Sequence, residues 1–356
     1  MKHMRNSIPN WVVDICKALR DVGEEAYVVG GAIRDTIIGR TVHEYDMCSS
    51  AKPETIHEIF DKAIDTGAGF GTVTVVVRDE SGEKQSAEIT TFRVETEYSD
   101  SRRPDSVTLG VTLEEDLGRR DFTINALAYD PLDDRLVDLH NGQADIKKKC
   151  LKTIGKPEER FREDTLRLFR AARFSAQLGF EIEADTLDAV LRLGPVEPLP
   201  AIERMTMEVK KIVASTYPSR GFNVLKKSKL LSRYMPGINV ESVDFELFDT
   251  TPHHHRLGRL LEYTDSPDKV LKEARYSNAE IELVQRQIER DFDDELVALD
   301  PHDLEIKSQD LMVLGLEGPQ LGGAQKALFR AVCQKQVANS KDELLAYFKT
   351  QIQETL

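Results

Sequence analysis

The chain is 356 residues long, 40% of them apolar, with 48 lysines and arginines against 62 aspartates and glutamates and a net charge of −14. Such a chain is long and apolar enough to bury a sizeable core in two to four domains, which excludes a peptide, a fibre and a disordered tail. The acidity is uneven: residues 1–140 sum to −11 and 241–356 to −10, whereas 141–180 carry +5 and 201–240 carry +6, so the basic middle suits a polyanion that the whole-chain sum counts against.

In chain order, apolar residues at helical spacing run from Trp11 through Ile15 and Leu19, and a short strand from Ala26 to Val29 then meets Gly30 and Gly31. A second helix covers Ala32 to Ile38 and stops at Gly39, a C-terminal glycine stop. Glu44-Tyr45-Asp46 and a helix near Pro53 to Ala63 follow, then β-rich runs at Thr72 to Arg78, Ser86 to Phe92 and Ser106 to Leu109. Beyond about residue 143 the chain reads as amphipathic helices broken at Gly194-Pro195, Pro218, Pro236 and Gly318-Pro319. The pattern predicts a small mixed sheet flanked by helices, then an all-helical remainder.

No apolar run approaches the roughly 18 to 20 residues of a membrane span, and the N-terminus meets a charged helix pattern before any long apolar region. Cys16, Cys48, Cys150 and Cys333 are too scattered for a disulfide framework or a cysteine-only zinc site. A cytoplasmic protein with free thiols is expected.

The first chemical constellation is Val29-Gly30-Gly31-Ala32-Ile33-Arg34-Asp35 followed by Glu44-x-Asp46. Two glycines after a strand bring backbone N–H groups close to a phosphate, and the following helix points its positive end at the same place. Two carboxylates one residue apart on a strand project to one face, suited to Mg²⁺ at roughly 2.0 to 2.1 Å beside substrate phosphates. Glu88, between Ala87 and Ile89, reads as an inward-facing third acid. Three acids beside such a turn suggest two-metal phosphoryl transfer. In isolation the same residues also suit a surface pair and a buried salt bridge.

The run VGGAIRDTIIGRTVHEYDMCSSAKP, Val29 to Pro53, closely resembles the signature of the class II tRNA nucleotidyltransferases, the CCA-adding enzymes of the polymerase beta superfamily. The resemblance continues through Gly71 to Val75, EITTFRVETEYSDSRRP (Glu88 to Pro104, a carboxylate strand and flexible loop), LGRRDFTIN (Leu117 to Asn125, motif B) and Asp138 to Gly142 (motif C). FREDTLRLFRAARF (Phe161 to Phe174) is similar to motif D, Glu203-Arg204 to Lys211 to motif E, and Gly318 to Leu345 to the tail of Gram-positive bacterial members.

That resemblance implies an α+β nucleotidyltransferase head of the polymerase beta type over residues 1–140, followed by an all-α neck (141–205), body (206–290) and tail (291–356). It implies template-independent addition of CCA to the 3′ end of tRNA from CTP and ATP. Glu44, Asp46 and Glu88 would hold Mg²⁺ or Mn²⁺ for catalysis, and Gly30, Gly31 and Arg34 the triphosphate. Arg119 and Arg120 supply guanidiniums for phosphate and Asp121 an acceptor for a ribose hydroxyl, with Asn125 joining them by resemblance. Glu163, Asp164, Arg167, Arg170 and Arg173 would read the base; Asp164 and Arg167, one helical turn apart, share a face. C and A each present an amino group beside an acceptor, and U and G the opposite order, so a fixed Asp/Arg pair selects the first two without a template. The bland reading of that spacing is an ordinary ion pair. Arg93, Asp100, Arg102 and Arg103 fall in the flexible loop, and Lys210, Lys211, Lys226, Lys227 and Lys229 are expected to track tRNA phosphates. No membrane and no obligate protein partner is expected.

One position departs from the family, which has Asp where this chain has Glu44; the extra methylene moves the carboxylate by roughly 1.5 Å, which an octahedral ion tolerates poorly. The alternatives are an A-adding enzyme, a CC-adding one (disfavoured by the intact loop), a poly(A) polymerase, which shares motifs A, B and D (disfavoured by Gly69 to Val75, where that family has a basic Gly-Arg-Arg-Phe-like segment), and, on account of Glu44, a catalytically impaired tRNA-binding protein. His253-His254-His255 and His302-Asp303 read as loop residues, and Trp11 as core.

Overall fold

The computed structural model describes residues 4–67, 71–96, 106–289, 304–312, 314, 316, 319–333 and 336–352, which divide into two compact units, Met1–Pro236 and Gly237–Leu356. In the first, helices α1 (Met4–Ser7) and α2 (Asn10–Asp21) precede strand β1 (Ala26–Val29), α3 (Gly31–Ile38), β2 (Tyr45–Ser49) and α4 (Pro53–Ile59). Strands β3 (Ala63–Gly67), β4 (Thr72–Arg78), β5 (Lys84–Thr91), β6 (Arg93–Thr96) and β7 (Ser106–Leu109) follow, then α5 (Leu113–Gly118), β8 (Leu127–Asp130), β9 (Arg135–Asp138) and α6 (Gly142–Lys148).

Among the described residues, seven of these strands form one sheet in the order β3-β4-β5-β2-β1-β8-β9. Only β2 and β5 run parallel; the other neighbours are antiparallel. Strands β6 and β7 make a separate ribbon. Helix α2 buries Val12, Val13, Ile15, Cys16 and Leu19; Ile15 and Leu19 were expected there, whereas Trp11, expected as core, is half-buried with its ring against Tyr45. The core beneath includes Tyr27, Val29, Cys48, Phe92, Leu117 and Ala128.

The sequence reading missed four strands of the head, and the two-residue β10 and β11 beyond it. It extended the helix that starts near Pro53 to Ala63, but α4 ends at Ile59 and β3 begins at Ala63; in AIDTG the polar residues hide an edge strand. Strand β8 is four residues, all buried, so it shows no alternation, and β9 and β6 are equally short.

Helices dominate after α6: α7 (Pro157–Glu163), α8 (Leu166–Leu178), α9 (Ala184–Leu193), α10 (Ile202–Val213), α11 (Pro218–Lys227) and α12 (Leu230–Tyr234), interrupted only by the two-residue strands β10 (Cys150–Leu151) and β11 (Glu181–Ile182). Helix α8 packs against α10 and α11 and buries ten of its thirteen residues. The expected architecture, a mixed-sheet head followed by helices, is the one observed. The second unit carries α13 (Arg256–Leu261), α14 (Pro267–Glu273), α15 (Asn278–Glu289), α16 (Ser308–Met312), α17 (Pro319–Cys333) and α18 (Lys341–Tyr347). One of its cores gathers Leu304, Ile306, Leu311, Leu328, Leu344 and Phe348. No helix among the described residues is long and apolar enough to cross a membrane, and Cys16 and Cys48 are buried without a bridge.

Candidate active site

The site starts at the end of β1. Gly30 adopts φ +66° and ψ −126°, a conformation reserved for glycine, and a Cβ there would lie 3.4 Å from Arg120 Nη1. The turn therefore lets the backbone pass directly over a guanidinium. Helix α3 starts at Gly31, and Arg34 on its first turn donates to Asn125 Oδ1 at 2.6 Å and, through Nε and Nη2, to Asp35 at 3.0 and 2.9 Å.

The carboxylates come from neighbouring strands. Asp46 on β2 is in parallel register with Glu88 on β5, so the two side chains stand on one face of the sheet. Glu88 is exposed while Ala87 and Ile89 are buried, which corrects the expectation that it faces inward: with a period of two, apolar flanks put it on the opposite face. Glu44 lies one residue before β2 and is exposed. Among the described residues no three His, Cys, Asp or Glu side chains gather into a metal cluster, so Glu44, Asp46 and Glu88 do not form a closed three-ligand set. Partial burial raises the pKa of Asp46, and Glu44 adds to the shift while Arg120 and Arg170 oppose it. Glu88 is raised by desolvation and then by Asp46 and Glu44. Like charges left side by side in this way fit a divalent cation; Mg²⁺ commonly takes only one or two protein carboxylates, with substrate phosphates and waters completing it.

Motif B is arranged around two buried acids. Asp116, in the first turn of α5, accepts from Arg119 Nε and Nη2 at 3.0 and 2.8 Å and from Arg120 Nη2 at 3.1 Å. Asp121 accepts from the Phe122 N–H at 2.8 Å, Asn125 Nδ2 at 3.1 Å and Arg170 Nε at 2.6 Å, with Arg170 Nη2 also at 2.6 Å. Although burial pushes the Asp121 carboxyl up, Arg170, Asn125 and Arg167 hold it down at about 2. The acceptor expected for a ribose hydroxyl is thus occupied by protein donors. In motif C, Asp138 accepts from the N–H groups of Gly142 and Gln143 at 2.7 and 3.0 Å and starts α6. A Cβ on Gly142 would meet the Thr123 carbonyl oxygen at 2.3 Å, so only glycine lets α6 approach motif B.

Motif D differs from the single helical face expected of it. The helix breaks: Asp164 is extended between α7 and α8, with φ −142° and ψ 103°. Asp164 caps Leu166 N–H at 3.0 Å and pairs with Arg204 Nη2 on α10 at 2.8 Å. Arg167 donates to Glu163 at 2.6 Å and to the carbonyls of Arg160 and Arg119 at 2.8 and 3.0 Å. Their side chains are therefore not partners of one another, although the Arg167 N–H donates to the Asp164 carbonyl at 2.9 Å, and the bland ion-pair reading fails for this pair. Arg173 lies 2.5 Å from Glu208 in a buried pair, and burial together with Arg170 lowers its pKa to about 10. Phe174 is ringed by the guanidiniums of Arg34, Arg170 and Arg173 at 5.2, 5.2 and 3.9 Å from its centroid.

These groups line one cavity of about 940 Å³, which takes in Gly30, Gly31, Arg34, Asp46, Arg93, Arg119, Arg120, Asp121, Asn125, Asp164, Arg167, Arg170, Arg173 and Lys211. Lys211 is thereby placed at the cavity, while Lys227 and Lys229 are exposed and Lys226 half-buried, on α11 and just after it. Glu44, Glu88 and Glu163 are outside the cavity lining. Asp100, Arg102, Arg103, His302 and Asp303 lie outside the described residues. His253, His254 and His255 stack edge to face before α13. Sequence reasoning gave no role to Asp116, Arg204, Glu208 or Phe174. The i,i+3 and i,i+4 spacing of Asp116 to Arg119 and Arg120 was legible; the long-range pairs were not.

Residues 26–152 match the family model described as the poly A polymerase head domain, and 179–241 the one described as a probable RNA- and SrmB-binding site of polymerase A. The two matched segments therefore carry a head domain and an RNA-binding region of the poly(A) polymerase type. A CCA-adding enzyme of Leuconostoc mesenteroides is 46% identical over 227 residues, 64% of this chain and 55% of that protein. One of Geobacillus kaustophilus is 43% identical over 224 residues, 63% and 54% respectively. The chain thus spans about half the length of the curated relatives it matches. Over 97% of both chains, the family fold superposes on the Bacillus stearothermophilus CCA-adding enzyme in complex with CTP with a TM-score of 0.57 at 27% identity. A CCA-adding enzyme in its apo form II shares the fold at a TM-score of 0.64 and 18% identity, over 100% of this chain and 98% of that one.

Proposed function

We propose that this protein adds CCA to the 3′ end of tRNA without a nucleic-acid template, using CTP and ATP. The observation that carries the reading is the single cavity that joins a glycine turn, a carboxylate, two phosphate-competent guanidiniums and the Asp164 and Arg167 pair. Its volume suits a ligand of nucleotide size, and the CTP complex of a structural relative supports the assignment.

The reaction is attack of the terminal tRNA 3′-hydroxyl on the α-phosphorus of the nucleotide, with pyrophosphate leaving. The Gly30 and Gly31 turn and the start of α3 offer backbone N–H groups to the phosphates, and Arg119 and Arg120 oppose the charge that builds on them. Asp46 and Glu88, with Glu44 beside them, would hold Mg²⁺ or Mn²⁺, which when bound activates a hydroxyl and stabilises departing pyrophosphate. Base choice rests on unused valence. Asp164 engages three of about four acceptor positions, leaving one for an exocyclic amine. Arg167 engages three of its five N–H groups, leaving two for ring nitrogen or carbonyl acceptors. That complement fits C and A and opposes U and G.

Within this reading, residues 1–140 carry catalysis, 141–205 base recognition, and 206–290 and 291–356 tRNA binding, with Lys210, Lys226, Lys227 and Lys229 on phosphates; Arg93, expected in the flexible loop, is instead the first residue of β6 and lines the cavity. The test is incubation with Mg²⁺ or Mn²⁺, labelled CTP and ATP, and tRNAs ending before the first C, after it and after both. Ordered C, C, A addition is expected. Incorporation of A alone on the longest substrate, of C alone, of a poly(A) run, or of nothing despite tRNA retention would each replace the proposal.

A further inference from the structure

Three of the cavity's arginines depend on one residue outside it. Asp116 has no exposed side-chain surface and does not line the cavity. Its Oδ1 accepts from Arg119 Nε and Nη2 and, at 3.4 Å, from the backbone N–H of Arg93; its Oδ2 accepts from Arg120 Nη2. Arg93, Arg119 and Arg120 all line the cavity, so one carboxylate ties the base of the β6 strand to both guanidiniums of motif B. Arg120 Nε is buried without a hydrogen-bond partner, and its Nη1 lies beneath Gly30. Its attachment to Asp116 is therefore what keeps that side chain directed toward the glycine turn.

We propose that Asp116 is the positioning residue of the triphosphate subsite: it aims Arg119 and Arg120 at the phosphates of the incoming nucleotide and touches no substrate itself. This rests on the reading of the cavity as a nucleoside-triphosphate site. The local electrostatics agree, since burial raises the Asp116 carboxyl but Arg120 and Arg119 more than offset it, leaving it ionised and below the usual range. The carboxylate offsets one of the two positive charges, so the pair keeps one net charge for the ligand. An amide in its place accepts from Arg119 but turns a donor toward Arg120, which then loses the acceptor that Asp116 Oδ2 gives it.

The probe is inorganic tripolyphosphate, whose affinity for the full chain is read by calorimetry without any incorporation. Asp116→Asn should weaken it about ten- to a hundredfold and raise KM for CTP and ATP by one common factor, with tRNA affinity and the choice of C over U unchanged. Thr112→Ala, which removes the side-chain cap of α5, serves as a stability control: it should lower the Tm and leave tripolyphosphate binding intact. In an Arg119→Gln/Arg120→Gln background, where no guanidinium awaits a counter-charge, Asp116→Asn should change affinity less than twofold; this variant gives the same reading if the single change does not fold. Wild-type affinity in Asp116→Asn, equal loss in Thr112→Ala, or a further tenfold loss in the arginine-free background overturns the proposal. Wild-type protein that binds tripolyphosphate but incorporates neither C nor A overturns the activity reading instead and leaves this one standing.

Discussion

Asp121 offers the sharpest quantitative prediction, because its pKa shift is large and its partners are all named. It is 7% exposed, and Arg170, Asn125 and the Phe122 N–H take up its oxygens. A carboxyl depressed from 3.8 to about 2 is worth about 2 kcal/mol of stability at neutral pH, at 1.36 kcal/mol per unit. The sign follows from linkage: a depressed acid stabilises above its unfolded pKa and loses that stability as pH falls through the folded one. Asp121→Asn keeps the shape, removes the charge and leaves Arg170 without its counter-ion, so it should cost about 2 kcal/mol or somewhat more at pH 7. Urea melts from pH 7 to pH 3 provide the assay. The gap between wild type and variant should persist down to about pH 4 and shrink to about half by pH 3. A gap that stays constant with pH would show that packing, not the carboxylate charge, is what the substitution removes.

Other consequences concern the proposed reaction. Asp46→Ala should abolish incorporation and spare tRNA retention on a filter; incorporation at the wild-type rate would place the reacting carboxylate elsewhere. Arg167→Lys keeps a cation but loses the fork, so misincorporation of U should rise about tenfold with tRNA affinity unchanged, as measured with single-nucleotide extension. Replacing Lys226, Lys227 and Lys229 with Gln should weaken every tRNA alike and flatten the salt dependence by about 2 to 3 in log–log slope, leaving the C-then-A order intact.

The motif segments around Gly30, Asp46, Arg119 and Asp164 were legible in the sequence because their chemistry is local. A glycine after a strand, acids one residue apart and arginines in tandem each have a meaning within a few residues, and their order along the chain carries the family resemblance. The change from alternating to helical periodicity likewise gave the mixed-sheet head and the helical remainder, since periodicity is a property of each segment alone. Strands too short to alternate, such as β8 and β9, left no such signature.

What the chain could not state by itself is which charges pair at long range, such as Asp121 with Arg170, Asp164 with Arg204 and Arg173 with Glu208. Spacing alone made Asp164 and Arg167 partners on one helical face; the tertiary structure breaks the helix at Asp164, gives it to Arg204 forty residues on, and gives Arg167 to Glu163 and the Arg119 carbonyl. Apolar flanks suggested an inward Glu88, but the parallel register with β2 sets it beside Asp46 on the exposed face. Asp121 looked like a ligand acceptor; it lines the cavity, but its oxygens accept from Arg170 and Asn125. Residue type fixes what a side chain can donate or accept, whereas only the folded packing decides which partner reaches it first.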